Sequence, residues 1–344
     1  MQKKKFKILP EPSLVTAIVI FIVMYGLLLA VSPFERNAFA FSNYVVLFTP
    51  LAIAAVGTTL VLITGGFDLS VAGTISLSNV MAATLLTKYE GSPALIILLI
   101  VLVGLAIGLL NGLLIVLLRL QSLAVTLASF IISTGIALML LPAPGGSVPP
   151  EFTAVLLDSI GNIPVALLVL IAIGVLWSIF RRTRTGSALF PIGADRPAAV
   201  MSGIPVNRSE ITAYTVAGGL YAVAGLYLTA VTSSGDPNSG RPFLLTAFAA
   251  MALGLVSFRG GSGNAVAAIL GAASLMTIPK LLFGLGIADF WVGAFQGLII
   301  LAALGIPAAT GYLRSKTVQK SSTGTALALP EPPVPANDAQ GAAT

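Results

Sequence analysis

Ten apolar stretches follow one another along this 344-residue chain, each close to the length that crosses a bilayer, and nothing constrains its fold more. They run Leu14–Ser32, Tyr44–Thr64, Ser70–Thr87, Ala94–Leu118, Ser122–Leu141, Ile163–Phe180, Ile211–Val231, Phe243–Phe258, Ala265–Leu282 and Phe290–Tyr312. A hydrocarbon layer about 30 Å thick takes roughly 20 apolar residues of helix. No water is available there to satisfy a free amide or carbonyl, so a crossing segment is a helix or a strand of a closed barrel. The alternation that marks a barrel strand is missing. Hydrophobic residues make up 57% of the chain and charged ones 9%, far fewer charges than a soluble protein of this size carries. The expectation is an all-α polytopic membrane protein: a cytoplasmic segment 1–13, a bundle of about ten transmembrane helices over 14–312, and a cytoplasmic tail 313–344. That tail is rich in Pro, Ala and small polar residues without apolar periodicity, and reads as disordered.

The basic residues orient the bundle. With the N-terminus inside, Lys3, Lys4, Lys5, Lys7, Arg119, Arg181, Arg182, Arg184, Arg196, Arg208, Arg259, Arg314, Lys316 and Lys320 fall on the cytoplasmic side. That is 14 of the 18, leaving Arg36, Lys88, Arg241 and Lys280 outside. Positive charge gathers on the cytoplasmic side of membrane proteins, so both termini are expected there. The net charge of +6 follows from this topology and needs no nucleic-acid partner. Lys3-Lys4-Lys5, an apolar run and Ala38-Phe39-Ala40 imitate a cleaved secretory signal. The run is too long, and Glu35-Arg36-Asn37 separates it from the small residues, so a retained first helix is expected.

The chain contains neither histidine nor cysteine. Disulfides, thiolate nucleophiles, imidazole acid–base chemistry and the commonest transition-metal ligands are thereby excluded, and no metal or cofactor site is expected. An intramembrane enzyme would have almost no residues to work with. An ion- or proton-driven carrier or channel needs buried ionisable relays, and Asp68 is the one acidic residue near the interior of a span.

Three features stand out against the apolar background. Gly104, Gly108 and Gly112 share one helix face, as do Gly218, Ala222 and Leu226 with Gly225 adjacent; glycine lets helix backbones approach closely in lipid. Thr64-Gly65-Gly66-Phe67-Asp68-Leu69-Ser70 interrupts a run that would otherwise continue to Thr87, and Asp68 or Ser70 can cap the helix that restarts. Asp68 therefore has two readings, a cap in a tight turn or a group lining a path. The third is the loop 181–210, with five arginines in the 28 residues from Arg181 to Arg208. Gly193-Ala194-Asp195 reads there as a helix start with Asp195 as N-cap, Arg196 and Pro197 in the first turn, Ala198 to Ser202 propagating and Gly203 stopping. A helix this short needs a docking partner to order it.

These blocks together resemble the permease subunit of bacterial ATP-binding-cassette importers for simple sugars, the ribose/xylose/galactoside-type branch. Thr64-Gly-Gly-Phe-Asp-Leu-Ser-Val71 is similar to that family's TGGIDLSVG stretch, and Asn111-Gly-Leu-Leu-Ile115 and Val125-Thr-Leu127 to its NGLLI and VTL signatures. Ile192–Ile204 resembles its GGNxxAAxxSGI coupling-helix segment, and Gly235-Asp236-Pro237-Asn238-Ser-Gly240 its GxPxxG external loop. Two departures accompany them: Leu245–Met251 lacks the acidic residue usual in the eighth span, and Ser257-Phe-Arg-Gly-Gly-Ser-Gly-Asn264 is a looser form of the family's glycine-rich turn. The resemblance implies a non-catalytic permease of the bacterial inner membrane, working as a pair. A separate cytoplasmic ATPase would dock on Gly193, Ala194, Asp195, Arg196, Ala198, Ala199, Ser202 and Gly203, and a secreted or periplasmic binding protein would deliver sugar outside. No phosphate-binding loop is present, so ATP is used by the partner. A neutral sugar needs hydroxyl and amide groups along its path, and Asp68, Ser70, Ser76, Asn79, Thr126 and Ser129 are the candidates, each of the hydroxyls fitting a helix-packing role as well.

Overall fold

The computed structural model describes residues 12–88, 92–295, 297, 298 and 301. The N-terminal segment, most of the tenth expected span and the tail 313–344 lie outside them. Contacts separate Met1–Ile300 from Leu301–Thr344, and of the second unit only Leu301 is described.

The chain runs through α1 (Pro12–Val31), α2 (Ala38–Ile63), α3 (Ser70–Lys88), α4 (Pro93–Leu117), α5 (Ser122–Leu140), the short α6 (Pro150–Leu157) and a hairpin of β1 (Ser159–Ile160) and β2 (Ile163–Pro164). It continues as α7 (Val165–Phe180), α8 (Arg184–Ala194), α9 (Arg196–Met201), α10 (Val206–Thr232), α11 (Phe243–Leu253) and α12 (Ala265–Gly284), with further helical residues at 292–295. β1 and β2 pair antiparallel, Ser159 opposite Pro164 and Ile160 opposite Ile163. The protein is an all-α membrane protein. Among the described residues, α1, α2, α3, α4, α5, α10 and α12 are long and apolar enough to cross a membrane, and the bent pair α7–α8 makes an eighth if counted as one span.

Boundaries moved for local reasons. α2 begins at Ala38 rather than Tyr44, because the Asn37 side chain accepts from the Ala40 amide at 2.8 Å. The supposed cleavage triplet is the first turn of a helix. The sixth span starts at Val165, its first residues being drawn into the hairpin. The eighth ends at Leu253 rather than Phe258: the Gly254 backbone lies against the Ala267 carbonyl, and Leu255 turns into the left-handed region at φ 55°. The stretch 142–162, expected as an external loop, holds α6. Pro149-Pro150 and Glu151 in the first turn were the available signal, and Phe152 is buried against Leu86, Ile100 and Leu226.

α2 and α3 are almost wholly buried, whereas α1, α4 and α5 keep apolar faces exposed, as helices bordering lipid do. α10 packs against α2, α3 and α4. The small-residue faces meet each other within the chain. A β-carbon on Gly104 would lie 2.5 Å from the Gly218 carbonyl oxygen, one on Gly218 2.2 Å from the Gly104 oxygen, and one on Gly108 2.2 Å from the Tyr214 oxygen. The two backbones touch, which is how helices without a hydrophobic drive between them gain dispersion contact.

Candidate substrate path and coupling arm

α2 ends at Ile63, and Gly65 turns the chain with φ +83°. Asp68 is fully buried; one carboxylate oxygen, Oδ1, accepts from the Ser70 amide at 2.9 Å and from the Ser70 hydroxyl at 2.5 Å. It therefore satisfies the first turn of α3, and the capping reading of Asp68 is met by the geometry. The same bonds begin something longer. Asn111 Nδ2 in α4 donates to Ser70 Oγ at 3.1 Å, and the Ser129 hydroxyl in α5 donates to Asn111 Oδ1.

The direction of this chain is fixed from one end. A carboxylate only accepts, so the Ser70 hydroxyl donates to it and offers its lone pairs to Asn111. Asn111 is thus held with its NH₂ toward Ser70 and its oxygen toward Ser129. Ser129, having given its proton inward, keeps acceptor lone pairs for whatever stands at α5. Ser129 is half-buried on a helix whose Leu127, Ile131 and Ile132 are exposed. Asn111 belonged to a motif in the sequence but was not singled out as a polar group. Its pairing with Ser70 and Ser129 is tertiary and has no sequence signal.

The remaining candidates sit elsewhere. Thr126 is buried and donates to the Ser122 carbonyl one turn back, at 2.8 Å. Ser76 and Asn79, buried in α3, hold the loop 234–240, expected to be external. Ser76 Oγ accepts from the Gly240 amide at 2.9 Å, Asn79 Oδ1 from the Asp236 amide at 2.7 Å, and Asn79 Nδ2 donates to Thr229 Oγ1 and the Ser234 carbonyl. Within that loop Asp236 Oδ1 accepts from the Asn238 amide, closing a turn around Pro237, and Gly235 pairs with Gly145 through two backbone bonds of 2.8 and 2.9 Å. The loop 235–240 is thereby tucked onto the middle of α3.

At the opposite end, α7 bends by 78° into α8. Thr183 caps α8 by accepting from the Gly186 amide at 3.1 Å. The sequence reading placed a helix start at Gly193-Ala194; instead those residues end α8, a helix hidden by Gly186 and Pro191. Its buried Ala188, Leu189 and Ile192 supply the apolar side, Ala188 and Ile192 against Ala199 and Val206. Asp195 then caps α9, accepting from the Ala198 amide at 3.0 Å with Pro197 in the first turn, as expected. Gly203 follows at φ +74°, and the bonds Gly203 N to Val200 O and Ile204 N to Ala199 O close the helix. Ser202 Oγ bonds back to the Ala198 carbonyl. The expectation that a docking partner orders this helix is corrected. Its buried Ala199 packs within the chain, and Arg196 Nε and Nη2 donate to Glu210 Oε1 and Oε2 at 2.9 and 3.1 Å. That ion pair holds the Arg196 guanidinium's pKa above its ordinary value. Glu210 sits at the head of α10, just before the residues that read as membrane, and was overlooked for that reason.

Between break and arm lies a cavity of about 340 Å³, lined by Gly65, Gly66, Ser122, Arg196, Glu210 and Tyr214 among others. Val200 and Met201 of α9 are exposed, Met201 by 88%.

The chain matches a family described as branched-chain amino acid transport system / permease component over residues 40–304. It belongs to that family. This permease is 34% identical over 272 residues to the probable ABC transporter permease protein y4mJ of Sinorhizobium fredii, covering 77% of this chain and 80% of that protein. It is 31% identical to the ribose import permease protein RbsC of Haemophilus influenzae, with 77% and 83% covered. It is 29% identical to the galactose/methyl galactoside import permease protein MglC of the same organism, with 83% and 91% covered. No solved structure is significantly similar to it. The permease is a multi-pass membrane protein of an ATP-binding-cassette transport system.

Proposed function

We propose that this permease forms the translocation path of a bacterial inner-membrane importer for a monosaccharide or related polyol, and that it works as a pair of copies in the membrane lipid. Both termini are cytoplasmic, a cytoplasmic ATPase docks on α8–α9, and an external binding protein delivers sugar to the face formed by 142–162 and 233–242. The chain itself binds no cofactor; ATP is hydrolysed by the partner. The observation that carries this reading is the arm. Two short helices, turned from α7 by a 78° bend and tied to α10 by Arg196–Glu210, present an exposed Val200 and Met201. An exposed apolar tip on an otherwise ordered polar arm is what a separate protein grips.

The relatives named for ribose and galactose support a sugar, although the family description names branched-chain amino acids. An amino acid is a zwitterion and calls for charged partners in the path. The chain Asp68–Ser70–Asn111–Ser129 ends instead in a neutral hydroxyl, suited to a neutral, hydroxyl-rich solute. Labelled ribose, galactose and leucine uptake in cells expressing the permease with its ATPase and binding protein separates the two classes. A protonophore that leaves ATP intact should spare uptake; collapse of uptake would restore the ion- or proton-driven carrier.

A further inference from the structure

The glycine-rich turn Ser257–Asn264 belongs neither to the arm's exposed tip nor to the polar chain, yet its backbone is wedged between them. The Gly261 amide donates to the carbonyl of Ile63, the last residue of α2, at 2.9 Å. A β-carbon on Gly193, in the last turn of α8, would lie 1.9 Å from that same carbonyl oxygen and 2.5 Å from the Gly261 nitrogen. On Gly260, at φ +79°, it would lie 2.9 Å from Gly65 Cα and 3.0 Å from the Gly193 oxygen. On Gly261, at φ +74°, it would lie 3.0 Å from Ala194 Cα. Three segments distant in sequence therefore meet largely backbone on backbone, with the Ala194 methyl and the Ile63 side chain beside the contact: the end of α2 with its break, the end of α8, and this turn.

Such a contact transmits displacement differently from ordinary packing. Side chains absorb a small shift by changing rotamer, whereas backbone resting on backbone has no such freedom. A movement of α8 toward the end of α2 must push Ile63–Gly65 with it or strain the Gly261–Ile63 bond that holds the turn against it. From Gly65 the chain leads directly to Phe67, whose amide donates to Ser122 Oγ, and to Asp68, which sets the direction of the whole polar chain. We propose that Gly193, Gly260 and Gly261 form a rigid junction through which displacement of the arm repositions the break and, with it, Asp68, Asn111 and Ser129. They are positioning residues that touch no substrate. This inference rests on reading α8–α9 as the ATPase dock.

The absence of cysteine gives a clean background for the test. Phe67→Cys is introduced alone, and the complex of permease and ATPase is reconstituted in liposomes. Its labelling by a thiol reagent is compared without nucleotide and after trapping with ATP and vanadate. With the junction intact the rate should change several-fold on trapping. With Gly260→Ala or Gly261→Ala added, the ATPase should still co-purify and trap, but the rate should be the same in both states. Gly135→Ala, where a β-carbon meets nothing within 4 Å, should keep the change. A Gly260→Ala or Gly261→Ala complex that responds as the parent does would overturn the junction. No response in the parent itself would tell against the docking reading instead. A second measurement leaves every glycine in place, in case the variants do not fold. Spin labels on Ser187→Cys in α8 and Phe67→Cys should hold a constant separation through trapping while the separation of Phe67 from Ser147 changes. A changing Ser187–Phe67 distance would show that arm and break move independently, and the junction would be refuted.

Discussion

Arg196 grips Glu210 with two parallel hydrogen bonds, 2.9 and 3.1 Å long, across the gap between the arm and the head of α10. The Glu210 side chain is 12% exposed and that of Arg196 50%, so water reaches one side of the pair. Solvent screening keeps its worth to stability at about 1 kcal/mol or less, but its planar geometry sets the arm's angle.

Glu210→Gln should therefore lower thermal stability only slightly, by about 2–4 °C per kcal/mol lost, while reducing most of the stimulation of ATP hydrolysis by loaded binding protein. Arg196→Lys should fail to rescue, because an ammonium cannot reproduce the two-pronged contact. Calorimetry and coupled ATPase assays on purified complex check both. A loss of stability matching the loss of coupling would make the pair structural only.

The polar chain makes a directional prediction. Asp68→Ala removes the acceptor that orients Ser70 and should abolish uptake with the ATPase still bound. Asp68→Asn keeps a carbonyl oxygen for the α3 cap and should retain part of the activity. Asn111→Leu removes the acceptor of the Ser129 hydroxyl and the donor to Ser70 Oγ, a destabilisation of about 1–3 kcal/mol, read by thermal denaturation. Normal uptake by the Asp68→Ala chain would leave Asp68 as a cap and nothing more.

How far these features could be read in the sequence depends on the range of the forces behind them. The Asp195 cap and the Gly203 stop were legible because a cap is set by side chains within a few residues. So were the glycine faces of α4 and α10, since helical periodicity fixes which residues align. α8 was not legible: Gly186 and Pro191 argue locally against a helix, and its buried Leu189 and Ile192 are explained only by the neighbours they pack on. Asn79 was recognised as a polar group inside a span, but its bond to the Asp236 amide joins residues 157 apart. Sugar-path roles and loop anchoring look identical until the partner is seen.

Gly203 tests the arm's geometry in isolation. A β-carbon there meets nothing within 4 Å, so Gly203→Val adds no clash and costs only left-handed backbone strain, roughly 1–2 kcal/mol. α9 has six residues and little cooperativity to absorb it. Gly203→Val should uncouple hydrolysis from transport, with sugar binding by the external protein unchanged. Gly203→Asn, a residue that tolerates this region, should restore most of the coupling.

Orientation can be read by chemistry on two exposed serines. With Ser147→Cys or Ser187→Cys as the lone thiol, a membrane-impermeant reagent on intact cells should label 147 and spare 187. Labelling of 187 from outside would invert the bundle and remove α8–α9 from the cytoplasm.

Met201 offers the most direct test of coupling through the arm, because at 88% exposure its replacement disturbs no packing. Met201→Asp should fold normally and bury a charge only where a partner covers it. Proteoliposomes carrying the permease and its ATPase, with ATP inside and sugar-loaded binding protein outside, give the readout. Labelled sugar should accumulate with the parent chain and not with Met201→Asp, which should also lose ATPase docking. Equal accumulation with both chains, or accumulation without ATP, would contradict coupling through this arm.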